Sequence, residues 1–208
     1  MKLIGNFLSP FARRVAISLN HLGIDYEMET IMVRKNPERV SGHNPLVRIP
    51  TLILDDGDVL VESFAILDAI DEMAGSEKAL ISVSGAARRQ VLKITGVALG
   101  TMDKTQWAAY EVSLRPEDKV HQPWVEHNEN QALGGLGYLN GLAEKSGDRT
   151  WLDGTECMSQ ADISAAVAFG FAKKVRPNLE VEKKFPALAA FGAHCEKLEA
   201  FAKAPIPE

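Results

Sequence analysis

The sequence is poor in cysteine, since its only two, Cys157 and Cys195, stand far apart. Their spacing matches no metal-binding or redox motif, so the sequence predicts no metal site and fits a reducing cytosol. Long apolar runs are missing too. No stretch is long enough to span a bilayer, and the first residues lack the apolar core and cleavage site of a signal peptide. We therefore expect a cytoplasmic protein without a membrane partner.

An excess of basic charge is absent as well. The chain has 23 Lys and Arg against 28 Asp and Glu, and the basic residues form no run beyond pairs such as Arg13-Arg14 and Lys183-Lys184. Nucleic-acid-binding proteins usually carry a basic patch, and an anionic membrane surface attracts the same residues. We expect neither partner, and we expect the pairs of Lys and Arg to lie on solvated faces.

What is present is an ordinary globular composition, 46% hydrophobic over 208 residues, which suffices for one large domain or two small ones.

In the first third, strand and helix signals alternate. Ser9-Pro10 predicts a helix start, because serine is a good N-cap and proline is favoured at the first helical position, and Gly23 predicts its end. Strands are predicted at 2–7, 26–33, 51–54 and 59–61, a hairpin turn at 55–58, a short helix or loop at 36–41, and a helix at 62–74.

This order is a βαβ unit, then a hairpin, then a helix. It predicts a parallel strand pair with a right-handed crossover and an antiparallel pair in the same sheet, which is a thioredoxin-like α/β domain over residues 1–76. Residues 77–85 predict a linker. Residues 86–208 carry only helical signals and predict an all-α domain.

Within that second domain the helical signals differ in strength. Gly134, Gly135 and Gly137 weaken one of the predicted helices, whereas another is apolar on most faces and is expected at the centre of its domain. The four helices are predicted at 86–114, 124–145, 159–174 and 186–202.

Ser9 is the first candidate for chemistry, because it stands where a strand ends and a helix begins. The free N–H groups and the dipole of a helix start favour an anion, and the same arrangement lowers the pKa of thiols in proteins. A serine there can accept a bond from the helix and still donate its own proton. The alternative is that Ser9 only caps the helix.

The segment Asn44-Pro45-Leu46-Val47-Arg48-Ile49-Pro50-Thr51-Leu52 is the second candidate. A proline directly before a strand suggests a cis Ile49-Pro50 bond, which would turn the Ile49 N–H and C=O outward to pair with an extended peptide. The alternative is an ordinary trans proline, which base rates favour.

The third candidate is Glu62-Ser63 at the start of the next helix. Ser63 and its N–H could bind a carboxylate, and Glu62 could pair with an ammonium group. Together they match the zwitterionic head of an amino acid. The alternative is again a helix cap with an acid in the first turn.

In this order and spacing, the three segments resemble the glutathione-binding site of cytosolic glutathione transferases. The chain is similar to the serine-type bacterial members of the family and, in its active-site motif, to the plant tau class. Ser159-Gln160-Ala161-Asp162 resembles the capping box of that family's central helix, and the C-terminal end fits as well. The resemblance therefore covers essentially the whole chain and implies a homodimer, with a thioredoxin-like domain followed by a helical one.

The resemblance also implies roles for individual residues. Ser9 would hydrogen-bond the glutathione sulfur, the Ile49 backbone would pair with the cysteinyl part, and Glu62 with Ser63 would hold the γ-glutamyl end. Arg48 or Lys35 would meet the glycyl carboxylate. The further glutathione-binding candidates are Phe11, His43 and Pro50.

A second substrate would lie between the domains, where Phe11, Met102, Trp107 and Tyr110 are candidates for its pocket. The alternative for each is a core or dimer contact. Val47 departs from the family's pattern, which commonly has glycine there, and this puts the shape of the loop before Pro50 in doubt.

The leading functional hypothesis is a transferase that joins the glutathione thiolate to a small electrophilic apolar compound. A glutathione-dependent peroxidase is an alternative, although residues 6–13 contain no cysteine for a mixed disulfide. A non-catalytic glutathione- or protein-binding module is the other alternative, because fold does not determine function.

Overall fold

The computed structural model describes residues 1–146 and 151–207. The chain divides into two units, the first formed by Met1–Val83 with the segment from Glu196 onward, the second by Ser84–Cys195. The first contains a mixed sheet and the second is helical.

The sheet of the first unit has four strands in the order β2-β1-β3-β4. Strand β1 pairs with β2 in parallel and with β3 antiparallel, and β3 pairs with β4 antiparallel. The predicted βαβ unit and hairpin are therefore both confirmed. The strands are β1 (Lys2–Gly5), β2 (Glu27–Thr30), β3 (Thr51–Ile53) and β4 (Val59–Val61).

Strand β2 is shorter than the predicted 26–33. Its partner β1 ends at Gly5, and the Ile31 N–H makes the last bond to the Gly5 carbonyl at 2.8 Å. Beyond that point β1 has no backbone left to pair with, so the ladder stops.

Three helices follow strands in the first unit: α1 (Pro10–Leu22), α2 (Glu38–Ser41) and α3 (Ser63–Ala74). Helix α1 begins and ends as predicted, with Ser9 as its N-cap and Gly23 in the left-handed conformation at its end. A cluster of buried side chains, Ile4, Ile31 and Val40, lies under the loop before β3, and the half-buried side chains packed on it are Val33, Val47, Ile49 and Ile53.

Arg13 and Arg14 on α1 are buried, with 1% and 0% of their surface exposed, so the prediction that such pairs lie on solvated faces was wrong for them. Arg13 binds the carboxylate of Glu196 with both terminal nitrogens, at 2.9 and 2.7 Å, and Arg14 binds Ser63. Burial of a charge requires such partners, and both partners are remote in the sequence.

The second unit contains α4 (Gly85–Leu114), α5 (Gln122–Ser146), α6 (Gln160–Val175), α7 (Val181–Lys184) and α8 (Pro186–Cys195). Helix α4 packs on α5 and α6, and α8 packs on the same two helices. Twelve of the sixteen residues of α6 are buried, as its apolar sequence predicts.

The glycines of α5 reflect close helix packing. A Cβ at Gly135 would lie 2.0 Å from Thr101 Oγ1 on α4, so only glycine fits at that contact. The helix itself forms, because burial against α4 outweighs the low helix propensity of glycine, which amounts to about 1 kcal/mol per residue.

A capping box closes the start of α6. Asp162 accepts the Ser159 N–H at 2.8 Å and the Ser159 hydroxyl at 2.9 Å with one oxygen, and the Leu152 N–H at 2.8 Å with the other. Burial raises the pKa of Asp162 to about 6, and these three donors oppose the rise.

The predicted last helix, 186–202, is broken in two. Helix α8 ends at Cys195, and a short helix α9 (Glu199–Ala202) follows. Glu196 leaves the helical path and pairs with Arg13, whose Nε also donates to the Ala204 carbonyl at 2.8 Å. Helix α9 therefore packs on α1 in the first unit, although the sequence pattern assigns this segment to the helical domain. Among the described residues, no helix combines the length and apolar character needed to cross a membrane.

Candidate active site

Two side-chain links connect the segments that carry the predicted site in the first unit. Arg14 on α1 binds Ser63 at the start of α3, and Arg48 in the loop before β3 forms an ion pair with Glu62 at 3.2 Å. The starts of α1 and α3 and the loop from Asn44 to Pro50 are thereby joined.

Ser9 is half-buried at the start of α1. Its hydroxyl oxygen accepts the Ala12 N–H at 3.4 Å, a long and therefore weak hydrogen bond. Its own N–H donates to the Asn6 carbonyl at 3.2 Å and to Asn6 Oδ1 at 3.0 Å. The hydroxyl proton can still be donated to a ligand, because the bond to Ala12 uses the oxygen only as an acceptor.

Asn6 was not singled out from the sequence, yet it holds the turn that presents Ser9. Its side chain receives the Ser9 N–H and donates to the Ile31 carbonyl at 2.8 Å. The turn is thereby tied to the end of β2. An asparagine just before a serine-capped helix is the signal that could have found it.

Asn44 organises the loop before β3 from a fully buried position. Its amide nitrogen donates to the Arg48 carbonyl at 2.9 Å and to Thr51 Oγ1 at 3.1 Å, and its oxygen accepts the Leu46 N–H at 2.9 Å. These bonds span the loop from both ends and hold its backbone in place.

The Ile49-Pro50 bond is cis, so the first of the two alternatives raised by the sequence is the correct one. In the described part of the chain, neither the N–H nor the carbonyl of Ile49 forms a hydrogen bond. Both groups can therefore pair with an extended ligand.

Val47 adopts φ 51°, in the left-handed region that favours glycine. A β-branched residue there carries a strain of about 1–3 kcal/mol. The half-buried Val47 side chain packs on the cluster of Ile4, Ile31 and Val40, which offsets part of that strain. The structure therefore accommodates valine at this position in a left-handed backbone.

The first turn of α3 is open. Glu62 precedes it with φ 66°, and its side chain makes no capping bond. Within the described residues, the N–H groups of Ser63, Phe64 and Ala65 have no hydrogen-bond partner. Such a turn can bind a carboxylate, and the Glu62 carboxylate beside it can bind an ammonium group.

Ser63 is 2% exposed and Arg14 lies behind it. The Ser63 hydroxyl oxygen accepts Arg14 Nε–H at 3.1 Å and Nη2–H at 2.9 Å. Burial lowers the pKa of Arg14 to about 9, so its guanidinium is still charged at neutral pH. This contact of Arg14 could not be predicted from the sequence, because it joins two segments that are far apart in the chain.

The other predicted site residues occupy varied environments. Phe11 on α1 and Pro50 are buried, whereas Lys35 and His43 are exposed. In the second unit, Met102 on α4 is fully buried, whereas Trp107 and Tyr110 on the same helix are 52% and 38% exposed. Across residues 1–146 and 151–207, no group of three or more His, Cys, Asp or Glu is placed to hold a metal ion.

The chain is similar to proteins of one family. The family model described as glutathione S-transferase, N-terminal domain, matches residues 8–73. The chain is 27% identical to the uncharacterised GST-like protein YibF of Escherichia coli K12, with 100% of both chains covered.

Among solved structures, a glutathione transferase family member from Pseudomonas fluorescens Pf-5, with bound glutathione, matches with a TM-score of 0.89 at 28% identity, over 100% of this chain and 99% of that one. A glutathione S-transferase from Methylobacillus flagellatus KT, also with glutathione bound, matches with a TM-score of 0.87 at 29% identity, over 98% of each chain.

Proposed function

Because the chain matches the N-terminal family model of glutathione S-transferases and is similar to glutathione-bound members over nearly its whole length, we propose that it belongs to this family and joins the sulfur of glutathione to a small electrophilic apolar compound. The observation that carries this proposal is the position of Ser9, whose hydroxyl stands at the start of α1 with a proton free to donate. A glutathione thiolate there gains one charge-assisted hydrogen bond and the favourable end of the helix dipole.

In the proposed reaction, the thiol of glutathione releases its proton to solvent and Ser9 donates to the resulting thiolate. The sulfur then forms a bond to the electrophilic carbon, and the leaving group departs with its electron pair. The protein contributes ionisation of the thiol and proximity of the two reactants.

Backbone groups that have no hydrogen-bond partner among the described residues support the placing of the remainder of glutathione. The cysteinyl part would pair with the backbone of Ile49, beside Pro50, and the γ-glutamyl end would occupy the open first turn of α3 with Glu62 and Ser63. The glycyl carboxylate would pair with basic side chains on the exposed surface. Candidates for this last contact are Arg48, Lys35 and His43, and Phe11 would line the site from α1.

The electrophile would be bound with the help of the helical unit. Trp107 and Tyr110 have exposed aromatic surface to offer, whereas Met102 is fully buried and offers none. We propose that residues 1–76 form the glutathione-binding domain, that 77–85 act as the linker and that 86–208 carry the second-substrate residues. A cytoplasmic homodimer that disposes of reactive compounds is the proposed setting.

The test is calorimetric titration of glutathione into the wild type and Ser9→Ala, together with ultraviolet absorbance of the bound thiolate against pH. The wild type should bind glutathione and lower the pKa of its thiol below the value in free solution, and Ser9→Ala should lose that lowering. If the wild type binds no glutathione, the transferase proposal fails and a protein-binding module becomes the better hypothesis. If it binds but reduces a peroxide and conjugates no electrophile, the peroxidase alternative is correct.

A further inference from the structure

Asn6 joins the turn before α1 to the end of β2 with both ends of its side-chain amide. The amide oxygen accepts the Ser9 N–H at 3.0 Å, and the amide nitrogen donates to the Ile31 carbonyl at 2.8 Å. Since the N–H needs an acceptor and the carbonyl needs a donor, one orientation of the amide satisfies both. An aspartate at this position would keep only the first bond, and an alanine would keep neither.

Ile31 also supports the opposite side of the site. Its N–H donates to the last carbonyl of β1 at 2.8 Å, and its buried side chain forms a cluster with Ile4 and Val40. Val47 and Ile49, from the loop before β3, pack on that cluster. One residue is therefore bonded through its backbone to the turn before α1 and helps through its side chain to support the loop before β3.

We propose that Asn6 is a positioning residue, which ties Ser9 to Ile31 and thereby fixes the spacing between the Ser9 hydroxyl and the Ile49 backbone. This inference rests on the proposed function, in which the first group binds the sulfur of glutathione and the second binds its cysteinyl backbone. A fixed spacing between these two groups selects one length of thiol side chain. The site therefore ionises γ-glutamyl peptides with cysteine in the middle position in preference to those with homocysteine.

The physical reason is the short range of the hydrogen bond to the thiolate. One extra methylene moves the sulfur by about 1.5 Å, the length of a carbon–carbon bond, whereas a good hydrogen bond tolerates only a few tenths of an ångström. The cap bond from the Ala12 N–H to the Ser9 hydroxyl is weak at 3.4 Å, so α1 alone holds Ser9 loosely. Without the link to Ile31, Ser9 would follow the displaced sulfur and the selection would be lost.

Asn20 provides a matched control near the far end of α1. Like Asn6, it is half-buried, and its amide nitrogen donates to the carbonyl of a remote residue, Ala200, at 3.0 Å. Asn20→Ala therefore removes a hydrogen bond of the same kind without touching the turn that holds Ser9. A general loss of stability would affect Asn20→Ala and Asn6→Ala alike.

The experiment measures the thiol pKa of two bound peptides, glutathione and γ-glutamyl-homocysteinyl-glycine, by ultraviolet absorbance against pH at saturating protein. Each value is compared with that of the same peptide in free solution, so the intrinsic difference between the two thiols cancels. The thiol-length preference is the ratio of the two increases in ionisation constant. It is measured in the wild type, Asn6→Ala, Asn6→Asp and Asn20→Ala, after circular dichroism has shown that each is folded.

In the wild type we expect a preference for glutathione of about tenfold or more, as one charge-assisted hydrogen bond supplies. Asn6→Ala and Asn6→Asp should each reduce that preference about fivefold, because both lack the bond to Ile31. The negative charge of the aspartate disfavours both thiolates and therefore cancels in the ratio. Asn20→Ala should keep the wild-type preference.

A wild type that ionises both bound thiols equally, or an Asn6→Ala variant that keeps the full preference, would overturn the inference. An Asn6→Asp variant with the wild-type preference would do the same, because an acceptor for the Ser9 N–H would then suffice without Ile31. So would an equal loss in Asn20→Ala. If Asn6→Ala does not fold, Asn6→Asp alone decides between these outcomes. Failure of the wild type to bind glutathione would refute the proposed function, and this inference with it.

Discussion

At the start of α1, Ser9 lies before the helix and its hydroxyl accepts a helix N–H, whereas at the start of α3, Ser63 lies within the helix and accepts from Arg14. The two serines look alike in the sequence, since each follows a strand and begins a helix. Their hydroxyls nevertheless have different partners, one local and one remote. The hydrogen-bonding role of a serine at a helix start therefore cannot be assigned until the partner of its hydroxyl is known.

A third helix start, that of α6, shows the fully closed case. Ser159 and Asp162 satisfy each other, and Asp162 also accepts the Leu152 N–H, so both side chains are engaged within the chain. Comparison of the three starts separates a weakly capped turn, an open turn and a closed one. The predictions below test whether the α1 start matters mainly for activity and the α6 start mainly for stability.

The largest effect is expected at the α1 start. Ser9→Ala removes the donor to the thiolate and should lower kcat/KM for glutathione conjugation by about 10²- to 10³-fold, the usual loss for a donor to a developing anion. Stability should fall by only about 0.5–1 kcal/mol, because the cap bond is weak. Steady-state kinetics and urea unfolding measure the two quantities.

The matched control is Ser84→Ala, because Ser84 occupies the N-cap of α4 without a side-chain capping bond. It should change neither quantity measurably. A Ser9→Ala variant that kept its activity would show that the α1 start is only structural.

Loss of the capping box at the start of α6 should lower stability and leave glutathione binding unchanged. Asp162→Ala leaves the N–H groups of Ser159 and Leu152 without their acceptor in a buried place, which should lower the free energy of unfolding by about 3 kcal/mol. Glutathione affinity of the folded variant should equal that of the wild type. A large loss of affinity without a loss of stability would contradict the division between the two starts.

The pH dependence of stability should carry the signature of Asp162. Its pKa is raised by burial from 3.8 to about 6, so the folded state binds the proton more tightly than the unfolded one. The stabilisation is therefore complete below pH 4 and is lost as the pH rises to about 6, a change of roughly 2–3 kcal/mol.

Asp162→Asn removes this titration. The unfolding free energy of the wild type minus that of Asp162→Asn should therefore fall between pH 4 and pH 7 in urea titrations. A difference that stays constant between pH 4 and pH 7 would mean that the three hydrogen-bond donors offset burial and that the pKa of Asp162 is not raised.

The smallest effect concerns the loop that is tied to the α3 start through Arg48 and Glu62. Val47 has φ 51°, a backbone conformation that glycine adopts without strain and alanine does not. Val47→Gly should therefore be more stable than Val47→Ala by about 1 kcal/mol, although both lose the packing of the valine. Thermal unfolding of the pair measures this, and the reverse order would show that the backbone relaxes.

Much of the fold was predictable because its signals are local. The start of α1 at Ser9-Pro10 and its end at Gly23 depend on residues within one helical turn, and so does the capping box of α6. The order of strands and helices in residues 1–76 followed from alternation alone. The residues proposed for glutathione came from a pattern of three short segments, and their roles remain predictions.

Other features were not predictable, since each depends on a partner remote in the chain. Arg13 is buried because Glu196 reaches it, and the same contact interrupts the last predicted helix. The need for Gly135 on α5 arises from Thr101 on α4, so a residue that weakens an isolated helix favours a packed one.

The sequence by itself determined where the helices of the site begin and which residue types stand there, because capping and backbone preference act over a few neighbouring residues. Only the tertiary structure decided the hydrogen-bond partner of each serine hydroxyl. That partner depends on which group, remote in the sequence, is brought within about 3 Å by packing. For Ser63 this group is Arg14, which donates to the hydroxyl oxygen.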